Sequence, residues 1–257
     1  PYTTLFRSPH MDFQILNNIG GLAFFIPAYI LVMLIAFGLT FTLPKVEKPK
    51  QSGRNIGKLY VLLRRPRFLV FLITVFFFML TMNCNSYFFS LYFDGLKGNT
   101  GQLGIALSLA ALSEVPVFFF ASWLLKRLKP LHLLGIAAST AALRWYLYTL
   151  VGNPLMTFPL QFFHAINFGC YYAGAVHFVD IETPQEWKTT GQTIFWAVGY
   201  GLSAIIGSLF GGFIIEKWNV VIMYEILSVL ALLAAGVFFM IDRIFPKTDS
   251  DTIPSVS

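Results

Sequence analysis

Three consecutive apolar stretches decide what this chain is: 107–125 LSLAALSEVPVFFFASWLL, 133–151 LLGIAASTAALRWYLYTLV and 155–176 LMTFPLQFFHAINFGCYYAGAV. Each is long enough for a bilayer core, which a helix of about 20 apolar residues crosses. Each also carries one ionisable residue near its middle: Glu114, Arg144 and His164. Ionisable groups at that depth are costly and face a bundle interior or a wet cavity rather than lipid.

The totals agree with a membrane protein. Hydrophobic residues make up 56% of the 257, charged residues 12%, and the mean hydropathy is +0.69; soluble domains carry about 25% charged residues. A net charge of +6 and a pI near 9.3 raise nucleic-acid binding. The basic residues, however, lie in the loops between apolar segments, where membrane topology puts them. Cys84 and Cys170 sit inside apolar segments without metal or redox spacing and read as reduced, buried thiols.

Working outward, seven spans are expected at about 16–43, 67–93, 101–125, 131–151, 155–179, 190–216 and 219–241. The connections DGLKGNTG, KRLKP, GNP, DIETPQEWK and KWN are short, so neighbouring helices run antiparallel. The segments are too long and lack the alternation of a β-barrel. Placing loop 44–67 in the cytoplasm collects 14 of the 18 lysines and arginines on that side; Arg7, Lys97 and Lys217 fall outside and Arg144 in the membrane. The expected domains are a non-native leader 1–10, a helix segment 11–43, a basic cytoplasmic linker 44–66, a six-helix transmembrane domain 67–243 and a cytoplasmic tail 244–257. An odd number of spans before a cytoplasmic C-terminus implies further spans upstream, and six spans after a long basic loop match half of a transporter built from nested three-helix repeats.

Counting helical rise from the outer ends puts Glu114 ~20 Å deep, Arg144 ~11 Å and His164 ~14 Å, which is one layer within boundary error. A carboxylate and a guanidinium in one layer neutralise each other, and solute exchanges for either partner, with His164 as a hydrogen-bonding neighbour. The plainer reading is a static ion pair that fixes helix packing. Gln161, His164, Asn167 or Phe168, and Tyr171 recur at three- and four-residue spacing and share a helix face. That face reads as cavity lining or as interhelical hydrogen bonding. Asn83, Trp196 and Tyr200 are further candidates for the lining. Gly199, Gly207, Gly211 and Gly212 suit close helix approach or a bend, and Pro116 frees a carbonyl near Glu114. No motif for a metal, a nucleotide or a nucleophile–base pair is visible, so neither metal nor cofactor is expected.

The run RRPRFLVFL, NSYFFSLYFDGL, LGIALSLAALSEVPVFFFASWLLKRL, ALRWYLYT, PLQFFHAINFG and GYGLSAIIGSLFGGFIIEKWN, in this order, resembles the second half of major facilitator superfamily transporters, in the branch that holds lactose permease, nucleoside symporters and phenylpropionate permease. The resemblance covers about residues 20–245. It implies an all-α polytopic membrane bundle, with the last helix of an N-terminal half followed by the C-terminal six. In lactose permease the eighth helix carries a sugar-binding glutamate, the ninth an arginine and the tenth a histidine; Glu114, Arg144 and His164 match these singly. Asn167 stands where the proton-coupling glutamate would be and Gln161 where a lysine would be, a pattern closer to the phenylpropionate-permease type.

The resemblance thus implies a multi-pass plasma-membrane symporter rather than an enzyme, with a cytoplasmic C-terminus. Its expected partners are a small-molecule substrate (sugar, nucleoside or aromatic acid), the proton, the bilayer and a missing N-terminal half, with no nucleic acid. The alternative is an intramembrane lipid-modifying enzyme using Glu114 or His164 as acid or base.

Overall fold

The structure, a computed structural model, describes residues 19–42 and 56–246. The expected leader 1–10, most of the linker and the tail beyond Pro246 lie outside the described residues. The chain divides into two units, residues 1–51 and 52–257. The described part of the first is one helix, α1 (Ile19–Thr40), apolar throughout with Pro27 inside it.

The second unit opens with a short helix, α2 (Ile56–Arg64). It lies inside the stretch expected to be a linker, where its nine residues give too short a pattern to stand out. Six long helical stretches follow: α3 (Pro66–Gly95), α4 (Thr100–Arg127), α5 (Pro130–Leu150), α6 (Thr157–Glu182), a stretch formed by α7 (Lys188–Trp196) and α8 (Ser203–Lys217), and α9 (Val220–Ile244). Their ends fall within a few residues of the expected spans, because the local signals are plain. Pro66 and Pro130 occupy first-turn positions, where a missing N–H costs nothing. Asn99 and Gln102 close a capping box on α4, and the Asn219 side chain accepts from the Ile222 N–H to start α9. Between α7 and α8, Ala197–Leu202 is wound as a π-helix, so the glycine-rich stretch is a local change of winding in one continuous rod.

Four of the described helices are long and apolar enough to cross a membrane: Pro66–Gly95, Thr100–Val117, Gln185–Lys217 and Val220–Ile244. The stretches α5 and α6 are long but more polar, since they carry Arg144, Gln161, His164 and Asn167. Their position explains this. α5 packs against α6 and α9, and α6 against α5 and α4, so neighbouring helices cover the faces that carry Arg144, Gln161 and Asn167. The fold is thus an all-α polytopic helix bundle.

Two aromatic groups fill the core. Phe71, Phe178 and Phe238 meet near the basic end, and Trp145, Tyr148, Tyr92 and Tyr224 pack together towards the other. Gly174 lets α6 reach the start of α5: a Cβ there would stand 2.8 Å from the Pro130 carbonyl oxygen. Gly207 does the same for α8 on α3, whose Cys84 thiol donates to its carbonyl at 3.1 Å. At the basic end Arg67 on α3 pairs with Glu182 of α6 at 3.0 Å and Asp242 of α9 at 2.7 Å. Its guanidinium also donates to the Phe245 carbonyl at 2.7 Å, so one residue ties three helix ends together.

Candidate functional site

Arg144 and Tyr148 are four residues apart on α5 and share its face towards α6. Gln161 and His164, three apart on α6, point back at them, and α4 brings Glu114 against α6 from the other side. The Pro116 ring interrupts the α4 hydrogen-bond ladder within a turn of Glu114.

Arg144 is 2% exposed, and all three of its guanidinium nitrogens are engaged. Nε donates to Tyr148 Oη at 3.1 Å, Nη2 to Gln161 Oε1 at 2.5 Å, and Nη1 lies 3.2 Å from His164 Nδ1. The Trp145 and Tyr148 rings lie 5.1 and 5.4 Å from its central carbon. Gln161 Nε2 also donates to Tyr148 Oη, at 3.3 Å. Fixed dipoles and π-faces therefore replace the water that the buried cation has lost.

The other ring nitrogen of His164 meets Glu114: Nε2 stands 2.8 Å from Oε1. These two contacts settle the tautomer. A guanidinium only donates, so Nδ1 must present its lone pair to Arg144, and the imidazole proton must sit on Nε2, which donates to the carboxylate. Glu114 and Arg144 are thus joined through a neutral histidine. The direct carboxylate–guanidinium pair expected from the sequence is replaced by a three-residue relay, because α6 lies between α4 and α5.

The remaining candidates are distributed differently. Asn167 is fully buried on α6 and accepts from Thr140 Oγ1 at 2.7 Å, while its Nδ2 has no hydrogen-bond partner among the described residues. Asn83 donates to Ser203 Oγ at 2.8 Å, at the α3–α8 contact and apart from the relay. Tyr171, a candidate for the lining, is 1% exposed and packs between Phe78 and Phe195. Trp196 and Tyr200, on the turn that enters the π-helix, have ring centroids 4.7 Å apart. They extend a strip of rings that starts at His164 and runs through Phe168 at 5.9 Å and Tyr172 at 6.1 Å, with Trp196 5.7 Å beyond.

Sequence reasoning missed Tyr148, which holds both Arg144 and Gln161. Its signal was its place four residues after Arg144. Tyr148 is itself held by Tyr92, whose hydroxyl donates to its carbonyl at 2.7 Å.

Comparison with known proteins gives a consistent result. The model of the MFS_1 like family matches residues 9–226. Similar proteins include the uncharacterized transporter YwbF of Bacillus subtilis (strain 168), 23% identical over 188 residues, which are 73% of this chain and 47% of that protein. The maltose permease of Geobacillus stearothermophilus is 25% identical over 216 residues, 84% of this chain and 55% of that one. The major facilitator superfamily domain-containing protein 6-like of Mus musculus is 22% identical over 229 residues, 89% and 39% respectively. The chain therefore spans about half or less of the length of these curated relatives. No solved structure matches.

Proposed function

The chain belongs to the MFS_1 like family of transporters, and on that premise we propose that it forms the C-terminal helical half of a secondary active transporter, moving a small polar or amphipathic solute by alternating access with proton coupling. The observation that carries this reading is the Glu114–His164–Arg144 relay, built from three neighbouring helices, α4, α6 and α5. A charge pair that served packing alone needs no carboxylate left partly open. Here the Glu114 side chain is 22% exposed and, among the described residues, pairs with His164 alone. One relative's name gives it maltose as solute, which supports a sugar-type solute for this chain.

The tautomer supports a place for the proton. Protonating His164 at Nδ1 would set an N–H against the Arg144 N–H and break that contact. Protonating Glu114 on its other oxygen leaves the Nε2–H···Oε1 bond in place. Glu114 is therefore the group that loads and releases the proton, and solute binding to its open oxygen changes its proton affinity. Arg144 positions the relay, and His164 transmits its charge. The end that carries Arg65, Arg67, Lys126, Arg127, Lys129 and Arg243 faces the cytoplasm of a plasma-membrane protein. A second helical half completes the cavity.

The test is solute uptake by the full-length protein in liposomes under an imposed pH gradient. A protonophore is expected to collapse accumulation. Uptake insensitive to the protonophore and to external pH rejects proton coupling, and Arg144→Ala transporting like wild type removes the relay from the mechanism.

A further inference from the structure

One residue, Arg65, separates α2 from α3, and its backbone is extended, with φ −74° and ψ 112°. The short helix therefore does not continue the α3 rod. It packs against α7 as well as α3, so it runs across the basic end of the bundle. Its inward side is Leu62, fully buried, and Leu63, which packs on the core. Its outward side holds Tyr60, 55% exposed, Val61, 41% exposed, and Arg64, also exposed. At helical spacing these three fall within about 100° of one another, away from Leu62 and Leu63. An exposed ring and an apolar side chain beside a cation suit the bilayer interface, where the ring sits at headgroup level and the cation reaches the phosphates. Leu69 and Ile73, near the start of α3, are exposed and apolar as lipid-facing positions are, so the lipid begins where α2 ends.

The charge has the matching sign. From residue 48 to residue 67 the chain carries seven basic residues and no acidic one. Two of these turn inward: Arg65 donates to the Glu182 carbonyl at 3.3 Å, and Arg67 pairs with the Glu182 and Asp242 carboxylates. Arg64 meets no carboxylate among the described residues. Its central carbon lies 4.4 Å over the Tyr60 ring. Stacking covers one face of the guanidinium and leaves its in-plane N–H donors free for a phosphate.

We propose that α2 is a membrane-surface helix whose Tyr60–Val61–Arg64 face binds an anionic phospholipid of the adjoining leaflet. The buried Leu62 side fixes the helix on the bundle, and the lipid occupies the side left open.

The test uses the full-length protein with Val61→Cys, labelled with an NBD fluorophore, in phosphatidylcholine nanodiscs. Cys84 and Cys170 are buried, and wild type taken through the same labelling gives the background. Quenching is measured with a doxyl group placed high in the acyl chain of either phosphatidylglycerol or phosphatidylcholine. Both leaflets hold the same lipids, so the outcome is independent of which end faces the cytoplasm. The expected result is quenching by both lipids, stronger for phosphatidylglycerol at equal mole fraction. Arg64→Gln should weaken that preference about fivefold, the loss that follows from removing one basic residue at an anionic surface. Lys126→Gln, at another exposed basic turn, should leave it unchanged. Equal quenching by the two lipids, an unchanged preference in Arg64→Gln, or an equal loss in Lys126→Gln overturns the proposal. No quenching by either lipid also overturns it and shows that protein or water covers the face.

Discussion

His164 Nε2 lies 2.8 Å from Glu114 Oε1, which makes the imidazole, and not the guanidinium of Arg144, the carboxylate's partner. The other ring nitrogen faces Arg144 at 3.2 Å, so the histidine works as a donor at one end and an acceptor at the other. A carboxamide offers the same pair of functions without titrating. His164→Gln is therefore expected to keep much of the uptake rate, and His164→Ala to lose most of it. A glutamine variant as inactive as the alanine variant would show that the imidazole itself takes up the proton.

Tyr148→Phe removes the acceptor shared by Arg144 Nε and Gln161 Nε2 among fully buried side chains. An unsatisfied buried donor costs about 1–3 kcal/mol, and about 1 kcal/mol moves Tm by roughly 2–4 °C in a protein of this size. Thermal unfolding of the purified variant in detergent should show a fall of several degrees together with weaker uptake. An unchanged Tm would mean that Arg144 is held without Tyr148.

Gly174 and Gly201 make a matched pair for packing. A Cβ at Gly174 would meet the Pro130 carbonyl oxygen at 2.8 Å, whereas one at Gly201 has nothing within 4 Å. Gly174→Ala should reduce the yield of monodisperse protein, while Gly201→Ala should not. Equal yields would contradict the close α5–α6 approach.

Arg67 holds the ends of α3, α6 and α9 through Glu182 and Asp242. Arg67→Ala takes a cationic partner away from the largely buried Glu182 carboxylate, which destabilises the three helix ends it joins. Arg67→Ala with Glu182→Gln should be more stable than Arg67→Ala alone, as read by thermal unfolding. A double variant no better than the single one would mean that the pair lies in solvent.

Much of this was legible in the sequence. The long helices were, because apolar runs of that length, punctuated by Pro66, Asn99, Pro130 and Asn219, leave few alternatives. The convergence of Glu114, Arg144, Gln161 and His164 was legible as well, since a charge in an apolar helix needs a partner. Which residue touches which was not. The order α4–α6–α5 in space, which interposes His164, depends on helix packing that the linear pattern does not encode. Tyr148 was hidden for another reason: among 28 phenylalanines and 11 tyrosines, one more aromatic carries little signal. In the sequence the stretch that forms the π-helix at Ala197–Leu202 looks like glycine packing, and Arg67 like a topology signal, which are the commoner meanings of such residues.

The most direct test is Glu114→Gln in the full-length protein, reconstituted into liposomes with an inward proton gradient and compared with wild type for solute accumulation. The amide keeps the acceptor for His164 and removes the exchangeable proton, so the variant should insert at the wild-type level and fail to accumulate solute above equilibrium. Accumulation by Glu114→Gln to the wild-type level, still collapsed by a protonophore, would contradict the assignment of the proton and solute to this carboxylate.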